Sequence, residues 1–127
     1  MTLAYWTLIG MIFVTYVYTA IAKFARPGYN NSCPREYLSQ LEGWPKRAYW
    51  AHLNSLEVLP QICAALIIAH TSGMPQSSID FWSVIFLISR ILYGIFYMLN
   101  RPWSRSYCWL VGMFIIAYLI TGNYFHG

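Results

Sequence analysis

RAYWAHLNSLEVLPQICAALIIAH, residues 47–70, decides the fold. From Ala48 to Ala69 it is apolar almost throughout, and about 20 residues rising ~1.5 Å each cover the ~30 Å hydrocarbon core of a bilayer. Three more windows of the same kind follow the same reasoning: Leu3 to Ala22, Phe81 to Leu99 and Ser106 to Phe125. The whole chain is 58% hydrophobic and 9% charged, far from the ~25% charge of ordinary soluble domains. The expected fold is therefore all-α: one domain forming an integral membrane four-helix bundle with up-down topology, its helices over about 3–25, 47–71, 79–100 and 105–125. The first window ends in Ala20-Ile21-Ala22, which resembles a signal-peptide cleavage site. No basic residue precedes it, however, and the run exceeds the usual ~7–15 apolar residues, so it reads as a retained helix.

Charge orients the bundle. Seven of the eight basic residues fall in or beside two connections: Lys23, Arg26, Arg35, Lys46 and Arg47 around the first, Arg101 and Arg105 around the third. The N-terminal stretch and the segment from His70 to Asp80 hold no Lys or Arg. The positive-inside rule then predicts both termini outside and both basic loops cytoplasmic. That distribution accounts for the net charge of +4, which is accordingly no signal for nucleic acid. Tyr5, Trp6, Trp44, Trp103 and Tyr124 suit interfacial belts.

In the first connection, PREYLSQLEG reads as a short cytoplasmic helix with Pro34 at its first position, Leu38 and Leu41 on one side and Gly43 as its stop. Ser77-Ser78-Ile79-Asp80 resembles a capping box opening the third long helix. Asn100 to Ser104 is short enough to force an antiparallel hairpin. Cys33, Cys63 and Cys108 form no paired motif. His52, His70 and His126 are too scattered to make a metal site, and no metal is expected. Gly-rich phosphate loops, His-Glu-x-x-His and Gly-x-Ser-x-Gly are all absent.

Two polar stripes interrupt the apolar spans. At helical spacing Arg47, Trp50, Asn54, Glu57 and Gln61 lie within about 80° of one another. On the next helix Arg90, Tyr93, Tyr97 and Arg101 share a face, with Arg90 near mid-bilayer. A charge there costs roughly 2.5–3.5 kcal/mol on insertion scales, so such residues face a bundle interior or a wet cavity and are functional candidates by default. The plainer account is a structural Glu57–Arg90 pair, with the tyrosines serving as packing. It leaves Arg47, Arg101 and Arg105 unexplained near the same end. Several arginines call for carboxylates, a carboxylate calls for an ammonium, and Asn54 both donates and accepts. Glutathione, a small zwitterionic peptide with two carboxylates and an amine, meets all three demands.

The runs RAYWAHLNSLE, residues 47–57, and SRILYGIFYMLNRPWSRS, residues 89–106, resemble the MAPEG superfamily of membrane-associated proteins in eicosanoid and glutathione metabolism, and within it the small bacterial members. The likeness extends over nearly the whole chain in helix count and loop lengths. It implies a homotrimer in a bacterial inner membrane, with glutathione bound between subunits near the cytoplasmic face. Asn54 and Glu57 match the family's binding motif in the second long helix, and Arg90 and Tyr97 match that in the third; Tyr93 joins them by its place in the stripe. Arg105 matches the arginine credited with activating the thiol, and would be the catalytic residue. A free thiol with pKa near ~8.5 is mostly protonated at pH 7, and an adjacent guanidinium favours the thiolate. The second substrate would be a lipophilic electrophile or peroxide arriving among the membrane lipids.

Two departures stand out. Trp50 occupies the position of an arginine in glutathione-using members, and Arg47, one turn earlier on the same face, is the expected replacement. Those members also carry a basic residue deeper in the first helix, where this chain has Lys23 and Arg26 only at its end. His52 matches the family histidine but points about 200° away from Asn54, which favours packing over catalysis. Two classes of function stay open: a glutathione-dependent transferase or peroxidase, and a non-catalytic membrane protein using the same cleft for a lipid or other anionic ligand. A transporter fits less well, since Pro60 is the only Pro interruption deep in a span.

Overall fold

The computed structural model describes residues 2–126. It contains α1 (Leu3–Phe24), α2 (Pro34–Ser39), α3 (Trp44–Thr71), α4 (Gln76–Met98) and α5 (Pro102–His126), with no strand among the described residues. Helices α1, α3, α4 and α5 are each long and apolar enough to cross a membrane. Their alternating direction gathers the end of α1, the start of α3, the end of α4 and the start of α5 at one basic end of the bundle.

The helix starts follow backbone chemistry more than apolar periodicity. Gly43, at φ 72°, makes the sharp entry into α3, and Pro45 sits in its first turn, so α3 begins three residues ahead of the expected boundary. Gly43 therefore opens the long helix instead of stopping the short one, which already ends at Ser39. Pro102 likewise starts α5 ahead of the expected Arg105, because a first-turn proline gives up no helical hydrogen bond. The expected capping box does not form. Helix α4 begins at Gln76 after Pro75, and Asp80 serves α1 instead. Its Oδ1 accepts the Ala4 backbone N–H at 3.0 Å and the Gln76 amide at 2.7 Å. An orphan donor at the N-terminus of one helix is thus satisfied by a carboxylate from another. Helix α4 ends at Met98, which puts Arg101 in the turn beyond it rather than on the helical stripe.

Helix α1 packs on α3 and α4, and α5 packs on the same two, while the backbones of α1 and α5 make no close approach among the described residues. The cross-section is a rhombus whose short diagonal is α3–α4. Met11, Val58, Ile62, Phe86, Ile115 and Leu119 fill its main apolar core. Nearer the basic end, Tyr18 reaches from α1 across to α4 and donates from its hydroxyl to the carbonyls of Arg90, at 2.8 Å, and Ile91, at 3.1 Å. The ring lies directly on Gly94, where a Cβ would overlap its Cζ and Oη. Leu38 on the short helix and Leu41, two residues beyond its end, are both buried under the α1–α3 end; the expected shared helical face is thus split between the helix and the segment that follows it.

Gly94→Ala is expected to expel the Tyr18 ring and destabilise the bundle by about 1–3 kcal/mol, the usual range for overpacking. Tyr18→Phe, which removes only the hydroxyl, should cost about 1 kcal/mol. Thermal unfolding of the detergent-solubilised protein measures both. An unchanged midpoint for Gly94→Ala would mean that the ring is not seated on that glycine.

Candidate functional site

The turn between α4 and α5 builds the site. Asn100 adopts φ 57°, a left-handed conformation that asparagine tolerates better than most residues. The chain thereby reverses within Leu99–Arg101. Arg105, whose backbone N–H bonds the Arg101 carbonyl at 3.0 Å, is brought opposite Tyr97. Its guanidinium carbon lies 4.3 Å from the centre of the Tyr97 ring. Tyr97 in turn meets Tyr93 edge-on at 5.6 Å between ring centres, and Tyr93 carries the Arg90 guanidinium at 4.1 Å on its face. The result is a ladder of two cations and two phenols running inward from the basic end.

A cleft of about 280 Å³ opens along this ladder, lined by Asn54, Tyr93, Tyr97, Arg105, Ser106 and Trp109. A smaller one of about 120 Å³ lies beside it on the α3–α4 side and includes Arg47, Trp50, Asn100 and Arg101. Tyr97 and Arg105 form the wall common to both. Trp50 stands 42% exposed at the rim, its ring 6.2 Å from Tyr97, with the Lys46 ammonium 5.0 Å above it.

Arg90 lies beneath the cleft rather than in it. The residue is 0% exposed. Its Nη2 donates to Asn54 Oδ1 at 2.8 Å and to Ser55 Oγ at 3.2 Å, while its Nε and Nη1 are buried without a hydrogen-bond partner. Asn54 then donates through Nδ2 to Glu57 Oε2 at 3.3 Å. The direct Glu57–Arg90 ion pair does not form; the Asn54 amide stands between them, with its oxygen toward the cation and its nitrogen toward the carboxylate. Glu57 and Gln61 are exposed on the surface of the single subunit, outside the cleft.

Of the residues singled out from the sequence, Asn54, Tyr93, Tyr97 and Arg105 converge on one cavity. Arg90 supports it from below and Glu57 flanks it. Arg47 is engaged elsewhere: Nε donates to the Tyr97 carbonyl at 3.0 Å and Nη2 to the Met98 carbonyl at 3.1 Å, satisfying orphan acceptors at the C-terminus of α4. With two of its three nitrogens bound to the backbone, it is poorly placed to replace the charge that Trp50 lacks. His52 points away, bonded through Nδ1 to the Thr15 carbonyl at 2.7 Å. Ser106 and Trp109 were not foreseen, though Trp109 sits one turn beyond Arg105 on the same side of α5, a spacing that could have drawn attention to it. Among the described residues no group of His, Cys, Asp and Glu gathers that could hold a metal ion.

The arrangement suits an organic anion: a positive, half-dry trough with aromatic walls, neutral donors from Asn54 and Ser106, and phenol hydroxyls that bond no other described residue. No ion pair forms among the described residues, so the arginine charges here are not already neutralised by carboxylates of the same chain. In comparisons with known proteins, the model of the MAPEG family matches residues 2–125. No curated protein and no solved structure matches.

Arg47→Gln should act through structure: it removes the donors at the end of α4 and lowers stability by about 1–2 kcal/mol, with little direct effect on anion binding in the cleft. Thermal unfolding paired with ligand titration separates the two. A protein that melts normally but loses ligand affinity tenfold would make Arg47 a binding residue after all.

Proposed function

The chain belongs to the MAPEG family, and on that premise we propose that this multi-pass integral membrane protein is a glutathione-dependent transferase or peroxidase acting on a lipophilic electrophile. The observation that carries the reading is Arg105: its guanidinium stands on Tyr97 at the mouth of the cleft and pairs with no carboxylate among the described residues. A guanidinium in this half-dry setting favours the charged form of a thiol placed against it. Glutathione, when bound, supplies that sulfur as the nucleophile. The chain's own residues bind and orient: Asn54 and Ser106 offer neutral hydrogen bonds, Tyr93 and Tyr97 wall the cleft, and Trp109 lines it toward the apolar span. Arg90 is a positioning residue, since it reaches the cleft only through Asn54 and the Tyr93 ring. Two buried nitrogens of Arg90 without partners leave a positive charge beneath the floor that an anionic ligand would offset.

The same reading proposes a homotrimer. Trp50, Glu57 and Gln61 form an exposed polar strip within the α3 span, and an ionised carboxylate facing lipid is costly. A neighbouring copy over that strip would cover Glu57 and turn the open cleft into an intersubunit one. Orientation follows the basic end, proposed to be cytoplasmic with both termini outside a bacterial inner membrane.

A second reading is favoured by Trp50 and Arg47 together. An exposed tryptophan replaces a cation at the rim, and the nearest arginine is spent on carbonyls. On that reading the cleft holds a lipid or another anion without turnover.

Isothermal titration of glutathione into the detergent-purified protein, followed by turnover with 1-chloro-2,4-dinitrobenzene and cumene hydroperoxide, tests the proposal. Wild type should bind and turn over, and Arg105→Ala should lose at least about 100-fold in turnover, the scale of one removed electrostatic contact in a catalytic site, while keeping its oligomeric state. A folded Arg105→Ala protein with unchanged turnover would falsify the catalytic role. Glutathione binding without turnover of any electrophile or peroxide would favour the second reading.

A further inference from the structure

A second groove, of about 460 Å³, lies between α1, α2 and α3. On α3 its wall is Tyr49, His52, Leu53 and Leu56, a face centred roughly a third of a turn from the stripe that carries Asn54 and Glu57. On α1 the wall is Tyr16, Thr19 and Lys23, spaced i, i+3, i+7, and α2 closes the outer end with Arg35 and the buried Leu38.

The groove is graded along its length. At the basic end stand Lys23, Arg35 and the Tyr49 phenol. Thr19 and His52 lie one turn deeper, and Leu53, Leu56 and the Tyr16 ring come last. Seven residues separate Tyr49 from Leu56, about 10 Å of helix, so cationic and hydroxyl groups give way to apolar wall over the depth that separates a phospholipid phosphate from its first acyl methylenes. The cations are not spent on the protein. Lys23 rests 5.4 Å from the Tyr29 ring centre, and neither it nor Arg35 forms an ion pair with a described residue. His52 donates through Nδ1 to the Thr15 carbonyl and is packed between the Tyr16 and Tyr49 rings, at 5.7 and 6.4 Å between centres. The deeper wall is therefore rigid, and Nε2 is the ring nitrogen that remains for a ligand.

We propose that this groove binds one anionic phospholipid per subunit, its phosphate between Lys23 and Arg35 and its upper acyl chain against Leu53 and Leu56. Basic pockets between spanning helices have the chemistry of an anionic headgroup site. An apolar continuation below the cations distinguishes a lipid from a free phosphate, which would have no use for it. The site is separate from the Arg105 cleft and stands or falls independently of the proposed enzymatic activity.

Native mass spectrometry of the full protein, released from micelles doped with phosphatidylglycerol or phosphatidylcholine, tests it. Wild type should retain phosphatidylglycerol in preference to phosphatidylcholine. Lys23→Gln/Arg35→Gln should lose about fivefold of that preference per charge removed. Arg26→Gln/Lys46→Gln removes the same charge from the same end and should keep the preference, as should Arg105→Ala. Arg35 is exposed, so Arg35→Gln alone repeats the test without disturbing the core. The proposal is overturned by equal retention of the two lipids, by an unchanged preference in Lys23→Gln/Arg35→Gln, by its loss in either control, or by displacement of the lipid by inorganic phosphate at equal concentration.

Discussion

The bundle is organised around one cation that has no carboxylate. Arg90 sits at the short diagonal of the rhombus, fully enclosed, and its guanidinium is distributed over an amide oxygen, a serine hydroxyl and the face of a tyrosine. Burying an ion without a counter-ion is expensive unless polar groups surround it. This requirement fixes much of the neighbourhood. Asn54 and Ser55 must face α4 from α3, Tyr93 must fold back over its own helix, and Tyr18 must hold the Arg90 and Ile91 carbonyls from the third side. The cleft above is the outer surface of that arrangement, and its positive character comes from beneath as much as from Arg105.

Around this centre, cations and aromatic rings recur as pairs: Arg90 on Tyr93, Arg105 on Tyr97, Lys46 on Trp50, Lys23 on Tyr29. A guanidinium or ammonium stacked on a ring keeps its charge while its approach is narrowed to one side. With so few carboxylates in the chain, four Asp and Glu against eight Lys and Arg, ring faces take over some of the work that acids perform in soluble proteins. Their attraction is weaker than an ion pair, which leaves the positive charge available to anions from outside.

How much of this was legible beforehand follows from what helical periodicity encodes. It gives angle and depth, so the four spans, the tight hairpin and the convergence of Asn54, Tyr93 and Tyr97 could be read directly. It does not give the partner. Glu57 and Arg90 looked like a pair because their charges match, yet Asn54 lies nearer to both and intervenes. Arg47 looked like a binding residue because it shares the stripe, yet two of its nitrogens are taken by the carbonyls of Tyr97 and Met98 at the end of α4. Asp80 looked like a local cap, yet Pro75 moved the helix start and freed the carboxylate for α1. In the last two cases a backbone group decided the outcome, and in the first a neutral side chain on the same helix did; neither is marked by matching charges. Membership of the family was readable from the motifs in α3 and α4.

The order of the elements along the chain bears on how such a centre can be assembled. A ribosome delivers α1 and α3 before α4, so Tyr18, Asn54 and Ser55 are already synthesised when Arg90 emerges. A guanidinium entering lipid alone would meet the full insertion barrier, whereas one arriving beside waiting acceptors does not. The reverse order would have left the charge stranded until its partners followed. The turn at Leu99–Arg101 then delivers α5 directly against α4, closing the bundle over the cation soon after it has been placed.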